Sequence, residues 1–232
     1  MKNEVTRSYS MSDGDMIQLA GQTHTLVVRD NALFVSYSYD ATAIGKYKQQ
    51  IDAFANFPTD TELLGDQEDA TNAKTILRDK VLNNLRNMRE RVKIVFEDGS
   101  GRYNKFGFAG ISNSTDSDLL QTALRAVRCG HQYQTALNPV GVTVQYLDDL
   151  QLANTAFQDS LLAQATAISD RDIATEDRRE MGNLLYAQTI RLADIGKIIW
   201  SNLDEAKYND YVVYDSSSAK PAQQVVTGTT GS

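Results

Sequence analysis

Apolar positions recur at helical spacing over most of the chain, and each run of them predicts a helix. The first clear run, 41–56, has apolar side chains at i, i+3, i+7 and i+10 starting from Ile44. Asp40 before it is a candidate N-cap, and Pro58 after it ends the helix. The second run, about 67–97, carries one continuous apolar stripe and leads into a glycine-rich break. These patterns predict two helices of unequal length.

Three further runs predict the helices of the second half. A third helix is predicted to start near Asp116, a fourth covers about 143–168, and a fifth covers about 174–203. The fifth begins with Glu176 and Asp177, and acidic side chains are stabilised by the positive end of a helix dipole. The sequence therefore predicts a break between the fourth and fifth helices.

The first forty residues are less regular than the middle of the chain. Residues 1–11 are polar and are predicted to be loose. Ser12 and Asp15 have the spacing of a capping box, which favours a helix over about 13–29. The β-branched and apolar residues from Thr25 onward are also compatible with a strand, so both alternatives stay open.

A short sequence pattern occurs twice along the chain. In both copies a helical pattern reaches a lysine followed by three apolar residues, and a short polar gap leads to an aromatic-Asn-x-aromatic segment. The first copy comprises Lys93-Ile94-Val95-Phe96 and Arg102-Tyr103-Asn104-Lys105-Phe106, and the second comprises Lys197-Ile198-Ile199-Trp200 and Lys207-Tyr208-Asn209-Asp210-Tyr211. A repeat at this distance suggests a duplicated helical hairpin that buries its apolar stripe against its twin.

The fold class that these patterns predict is all-α. We expect an antiparallel helical bundle of four to five main helices with an internal duplicated hairpin, whose halves are roughly 41–106 and 143–211. The predicted organisation is an N-terminal segment over 1–40, a helical bundle over 41–214 and a polar, flexible tail over 215–232.

Three short motifs resemble those of a set of uncharacterised bacterial helical-bundle proteins. They are Met11-Ser12-Asp13-Gly14-Asp15-Met16, Phe106-Gly107-Phe108 and Lys207-Tyr208-Asn209-Asp210-Tyr211. The resemblance spans most of the chain. It implies a helical fold, and it implies no activity, cofactor or site residue.

Composition and charge exclude several classes of protein. The 232 residues are 41% hydrophobic, which is ordinary for a globular chain long enough to bury a core. A net charge of −7 argues against a general nucleic-acid binder, which would carry a basic surface. No run approaches the roughly 18 apolar residues of a membrane span, and no apolar region follows the N-terminus as in a Sec signal. We therefore expect no membrane partner and, by default, a cytoplasmic protein.

Candidate chemistry is sparse. The two histidines, His24 and His131, lack the Glu-x-x-His and His-Glu-x-x-His patterns of metal sites, so no metal or cofactor is predicted. The single cysteine, Cys129, precedes His131 by two positions, and on a helix such side chains point about 200° apart. The glycines at 99–101 next to Arg102 could cradle an anion, but they are more simply the end of a helix. No catalytic residue is assigned.

Charge and tyrosine are distributed unevenly, which suggests interaction surfaces. The segment 74–93 carries seven basic and two acidic residues, and 148–180 carries eight acidic and three basic residues. Either these fields compensate within one fold, or they meet head to tail between molecules. The candidate interaction residues are Arg86, Arg89, Arg91, Lys93, Glu176, Asp177, Glu180, Tyr208 and Tyr211.

The function predicted from the sequence is a non-enzymatic structural or protein-interaction bundle. Its expected partner is a protein, and a second copy of the chain is one candidate. The alternative is a bundle that binds a small molecule between helices near Tyr103, Tyr133 or Trp200. A third hypothesis is an enzyme that uses Cys129 or a pair of acids.

Overall fold

The computed structural model describes residues 5–213, and this part of the chain is helical and contains no β-strand. Its α-helices are α1 (Asp13–Arg29), α2 (Asn31–Phe34), α3 (Ala41–Asn56), α4 (Asp60–Val95), α5 (Gly101–Asn104), α6 (Asp116–Gln132), α7 (Gln134–Leu137), α8 (Val144–Trp200) and α9 (Glu205–Asp210). Single 3₁₀ turns lie at Val35–Tyr37, Ile111–Asn113 and Asn138–Val140. The predicted all-α fold class is confirmed, while Tyr214 and the predicted tail over 215–232 lie outside the described residues.

Local capping signals determine where the helices start. Ser12 accepts a hydrogen bond from the Asp15 amide at 3.1 Å, so the predicted helix over 13–29 is present as α1. Asp40 caps α3 in the same way, through the Ala43 amide at 2.8 Å. The helix predicted to start near residue 67 begins earlier, at Asp60, because Thr59 and Glu62 form a reciprocal capping box.

The predicted break between the fourth and fifth helices is wrong, because α8 runs without interruption from Val144 to Trp200. Neither glycine nor proline lies between residues 168 and 174, and Arg171 in this stretch pairs with Asp60 at 3.1 Å. Glu176 and Asp177 therefore lie inside a helix and do not start one. Acidic side chains near an apolar stripe are as common on an exposed helix face as at a helix end.

The described residues form two compact units. Residues 5–58 and 173–213 form one, which we call the split unit, and residues 59–172 form the other, which we call the continuous unit. Each unit has its own buried apolar core. These divisions differ from the predicted hairpin halves, and residues 5–40 of the predicted N-terminal segment lie in the split unit together with α3 and the second part of α8. Contacts between distant segments, which a local pattern does not encode, define these units.

The described residues before α1, from Val5 onward, are held in place, contrary to the prediction that residues 1–11 are loose. Tyr9 and Met11 are 6% and 7% exposed. The Ser8 amide donates to Asn183 Oδ1 at 2.7 Å. Tyr9 lies so close to Gly182 that a Cβ there would come within 2.3 Å of its hydroxyl. A glycine on α8 thus provides the space in which this tyrosine packs.

The two units contain the same series of elements. A helix of 17 residues, a helical turn of 4, a 3₁₀ turn of 3 and a further helix follow one another in α1 to α3 and again in α6 to α8. Asp13 and Asp116 start the two series, and Ala41 and Val144 start their last helices; both pairs are 103 positions apart. The left-handed residue that ends each 3₁₀ turn is Ser38 in one series and Gly141 in the other.

The buried positions match as well. Four pairs that are 103 positions apart are fully buried in both units, namely Met16 and Leu119, Ala20 and Ala123, Phe34 and Leu137, and Phe54 and Phe157. On the long helices the spacing is 104, and Val81 and Leu185, Leu85 and Thr189, and Met88 and Leu192 are buried pairs. Pro58 separates α3 from α4, whereas the position 103 residues later is Leu161, and there α8 continues.

One core position is polar in the continuous unit and apolar in the split unit. Asn154 is 2% exposed, its Nδ2 donates to the Leu120 carbonyl at a long 3.4 Å, and its Oδ1 has no partner among the protein atoms. The position 103 residues earlier is Ile51. A buried amide oxygen without a protein partner costs free energy of folding.

We expect Asn154→Leu to raise the free energy of unfolding of the continuous unit by about 1 kcal/mol, because leucine has the same branching and removes the poorly bonded amide. The matched change in the other unit, Ile51→Asn, is expected to lower stability by about 3 kcal/mol. Urea unfolding followed by circular dichroism measures both units, and fluorescence of the single tryptophan, Trp200, reports the split unit. A lower stability of Asn154→Leu would contradict this account.

Candidate functional site

A buried carboxylate is the centre of a polar network in the split unit. Asp30, between α1 and α2, has a side chain that is only 5% exposed. It accepts two hydrogen bonds from Arg29, at 3.0 and 2.8 Å. It also accepts from Trp200 Nε1 at 3.1 Å and from the Tyr211 hydroxyl at 2.8 Å. The network therefore joins the end of α1 to the end of α8 and to the residue after α9.

The pKa shifts in this network follow from burial and from the hydrogen bonds. Burial raises the pKa of Asp30, but the hydrogen bonds from Arg29, Tyr211 and Trp200 outweigh it and hold the pKa below its ordinary value. Burial, and then the bond to the Asp30 carboxylate, raises the pKa of Tyr211. The carboxylate stays ionised and the phenol stays protonated. Since four donors bond to the two carboxylate oxygens, the arrangement holds these elements together.

The same three positions meet in the continuous unit with different chemistry. Tyr133, Phe96 and Phe106 correspond to Asp30, Trp200 and Tyr211 at spacings of 103, 104 and 105 positions. The Tyr133 ring lies 5.1 Å from the Phe96 ring and 6.2 Å from the Phe106 ring, between ring centres. Aromatic contacts therefore connect the elements that hydrogen bonds to a carboxylate connect in the split unit.

A second buried polar contact in the split unit also has an apolar counterpart in the continuous unit. The Tyr47 hydroxyl lies 2.8 Å from Thr189 Oγ1 and donates to the Ala20 carbonyl at 3.2 Å. Burial raises the pKa of Tyr47. The corresponding residues of the continuous unit are Leu150 and Leu85, both fully buried. A hydroxyl pair in one core thus takes the place of two leucines in the other.

The predicted basic residues all lie on α4 in the continuous unit, and each contacts a neighbour there. Arg86 donates to Ser112 Oγ at 3.2 Å, and Arg89 pairs with Glu90 at 2.8 Å. Arg91 donates to the Gly141 carbonyl at 2.6 Å, and Lys93 pairs with Asp98 at 2.9 Å. Arg91 is therefore part of the fold, because it binds the backbone at the end of a 3₁₀ turn.

The predicted acidic residues and tyrosines lie in the split unit. Asp177 and Glu180 are exposed on α8, and Glu176 is half-buried there. Tyr208 is half-buried on α9, whereas Tyr211 is 2% exposed and belongs to the core. Burial removes Tyr211 from the surface that a partner could contact. The structure therefore does not bring the basic and acidic residues together within one unit.

The tyrosines that the sequence concentrates near its ends mostly serve the core. Tyr9, Tyr39 and Tyr47 are buried, and the Tyr39 hydroxyl accepts from Gln188 Nε2 at 3.0 Å. The sequence patterns did not predict the role of Asp30, which organises the network with Tyr211. One signal was available, because the position 103 residues after Asp30 is Tyr133, so a carboxylate and an aromatic ring occupy corresponding positions of the two series.

The single thiol and the two imidazoles were the candidate reactive groups in the sequence. Cys129 Sγ donates to the Lys105 carbonyl at 3.4 Å, and burial raises the pKa of the thiol. His131 is exposed on the same helix, two positions along. Burial, followed by the charge of Lys48, lowers the pKa of His24. Among residues 5–213, no group of three or more histidine, cysteine or acidic side chains could hold a metal ion.

The aromatic residues proposed to line a small-molecule pocket are packed against their neighbours. Tyr103 lies 6.0 Å from Phe108 between ring centres, and the Lys207 ammonium lies 4.0 Å from the centre of the Trp200 ring. A surface depression of about 240 Å³ on α4 is lined by polar residues, namely Gln67, Glu68, Thr71 and Asn72. Ligand pockets are usually lined by apolar and aromatic side chains, so this depression does not favour the small-molecule alternative.

Within the described part of the chain, none of the helices combines the length and the apolar character that a membrane crossing requires. Comparison with protein-family models, with curated proteins and with solved structures found no match. The candidate site is therefore defined by its own geometry.

Asp30 is expected to make the stability of the split unit depend on pH in the acid range. Its folded pKa lies below the ordinary 3.8, so the stabilisation is complete above 3.8 and is lost as the pH falls through the folded pKa. Asp30→Asn is expected to lower the free energy of unfolding by about 2 kcal/mol at neutral pH. The variant should also lose part of the decrease in stability at acid pH, and urea unfolding between about pH 2 and 7 measures this decrease. Parallel pH curves for the two proteins would exclude a role for this carboxylate.

Proposed function

We propose that this chain is a non-enzymatic helical protein that acts as a structural or interaction module and associates with itself. The observation that carries the proposal is the exchange of chemistry between corresponding sites. Where the split unit has a carboxylate network around Asp30, the continuous unit has a cluster of rings around Tyr133. Interchangeable solutions at one position are typical of packing, because a reaction centre requires particular functional groups.

The architecture that we propose is a pair of antiparallel helical units that derive from one duplicated series. In the split unit, Arg178 bonds to Asp13 at the start of α1 and to the Phe57 carbonyl after the end of α3. The start of one helix and the end of the other therefore lie side by side, as in an antiparallel pair. The matched lengths and buried positions at spacings of 103 to 105 support the duplication. The proposed relationship to bacterial helical bundles of unknown activity fits this architecture.

Charge supports association between molecules. Within the continuous unit, Lys74, Arg89 and Lys93 pair with Asp116, Glu90 and Asp98, none of which belongs to the acidic segment 148–180. An exposed acidic patch at Asp177 and Glu180 on one molecule can approach the basic side of α4 on another, and such heterologous contacts build chains of molecules.

We expect the full-length protein to associate at low salt and to dissociate at high salt, because exposed charges are screened. Paired reversal of Arg86→Glu and Arg89→Glu is expected to weaken association at least tenfold, and so is reversal of Asp177→Lys and Glu180→Lys. A mixture of the two reversed proteins should associate again. Sedimentation velocity over a range of concentrations and salt measures these states.

The control is reversal of Lys46→Glu and Lys48→Glu on α3, which changes the net charge by the same amount as the arginine reversal. Any loss of association in this variant, relative to the natural chain, measures the effect of net charge alone, because the basic side of α4 is unchanged. A full-length protein that stays monomeric at high concentration and low salt would refute self-association through these faces.

A further inference from the structure

The split unit is assembled from the two ends of the described chain, whereas the continuous unit comes from a single stretch. The continuous unit contains α4 to α7 and the first part of α8, all from the single stretch 59–172. The split unit contains the matching elements, but α1 to α3 come from 5–58, and the second part of α8 and α9 come from 173–213. Non-covalent contacts alone connect these two segments inside the unit.

Contacts between the two segments are extensive and largely buried. Residues of the second segment complete the core that the first segment provides, and they include Leu185, Leu192, Ile195 and Tyr211. Thr189 on α8 meets Tyr47 on α3 in the middle of this core. Arg178 Nε donates to Asp13 Oδ2 at 2.6 Å at one end, and Tyr211 donates to Asp30 at the other. Neither segment can bury its apolar face without the other.

We propose that a second copy of this chain can complete the split unit, so that residues 173–213 of one molecule pack on residues 5–58 of another. Every molecule carries both surfaces, so the exchanged unit has the same contacts as the unit within one chain. Exchange of identical elements is a low-cost route to association, and the balance depends on the effective concentration of the two ends. Reciprocal exchange gives a closed dimer, and successive exchange gives a linear polymer. The proposal is independent of the charged faces described above.

The ion pair between Asp13 and Arg178 allows a test with full-length chains. The two side chains are 24% and 14% exposed, and they belong to different segments of the split unit. Asp13→Arg places two arginines together within one chain, and Arg178→Asp places two aspartates together. When the two variants exchange segments, one unit regains the native pair and the other has the reversed pair. Arg7, which also contacts Asp13, lies in the same segment, so its effect is equal in both arrangements.

We expect each variant alone to be mainly monomeric and less stable than the natural chain, and the mixture to form a 1:1 heterodimer after incubation near the onset of unfolding. The heterodimer should exceed either homodimer at least tenfold, as measured by native mass spectrometry on chains of different isotopic mass. The double variant, with Asp13→Arg and Arg178→Asp in one chain, is the matched control and should give no more dimer than the natural chain, because its reversed pair forms within each molecule. Both chains carry Arg86→Glu and Arg89→Glu as well, which separates exchange from association through the charged faces.

A mixture that remains monomeric while both variants retain their helical circular dichroism would overturn the proposal. If either variant fails to fold, the natural chain provides the second measurement. Isotopically heavy and light natural chains, incubated together near the onset of unfolding and then cooled, should give mixed dimers. Recovery of monomers only, with no dimer that contains one heavy and one light chain, would also overturn the proposal.

Discussion

The structure depends on the need of each long helix to bury an apolar stripe that it cannot bury alone. In the split unit, the stripe on the second part of α8 is covered by α1 and α3, which contribute Ala20 and Tyr47 to the contact. In the continuous unit, α4 is covered by α6 and by the first part of α8. A helix of this length gains most of its stability from such packing and little from intrinsic propensity. The division into units follows from which segments cover which stripe.

Corresponding positions in the two units show how much freedom this packing leaves. A hydroxyl pair, Tyr47 and Thr189, fills the volume that Leu150 and Leu85 fill in the other core. The change is made at both partners together, so neither hydroxyl is left without a partner. Replacing one member alone would leave a buried polar group unpaired, which costs about 1–3 kcal/mol. The cores therefore constrain pairs of residues more strongly than single residues.

Local signals in the sequence predicted the helices that have clear boundaries. The caps at Ser12 and Asp40 and the proline at position 58 located α1 and α3 correctly. The sequence failed at residues 168–174, because polar residues on an exposed helix face resemble those of a helix end. It also failed to predict the split unit and the role of Asp30, because both depend on contacts between residues 120 or more positions apart.

The comparison of the two units also bears on the proposed function. At the Asp30 and Tyr47 sites, a polar arrangement in the split unit has an aromatic or aliphatic counterpart in the continuous unit, so this packing does not require their chemistry. The surfaces differ more, since at a spacing of 104 exposed Lys80 on α4 corresponds to exposed Leu184 on α8, and Arg86 corresponds to Ile190. Two units with one packing plan and different surfaces can present different faces to partners. Under the proposed function, exposed charges and apolar side chains provide the discrimination between partners, and the cores provide the rigid helices that carry them.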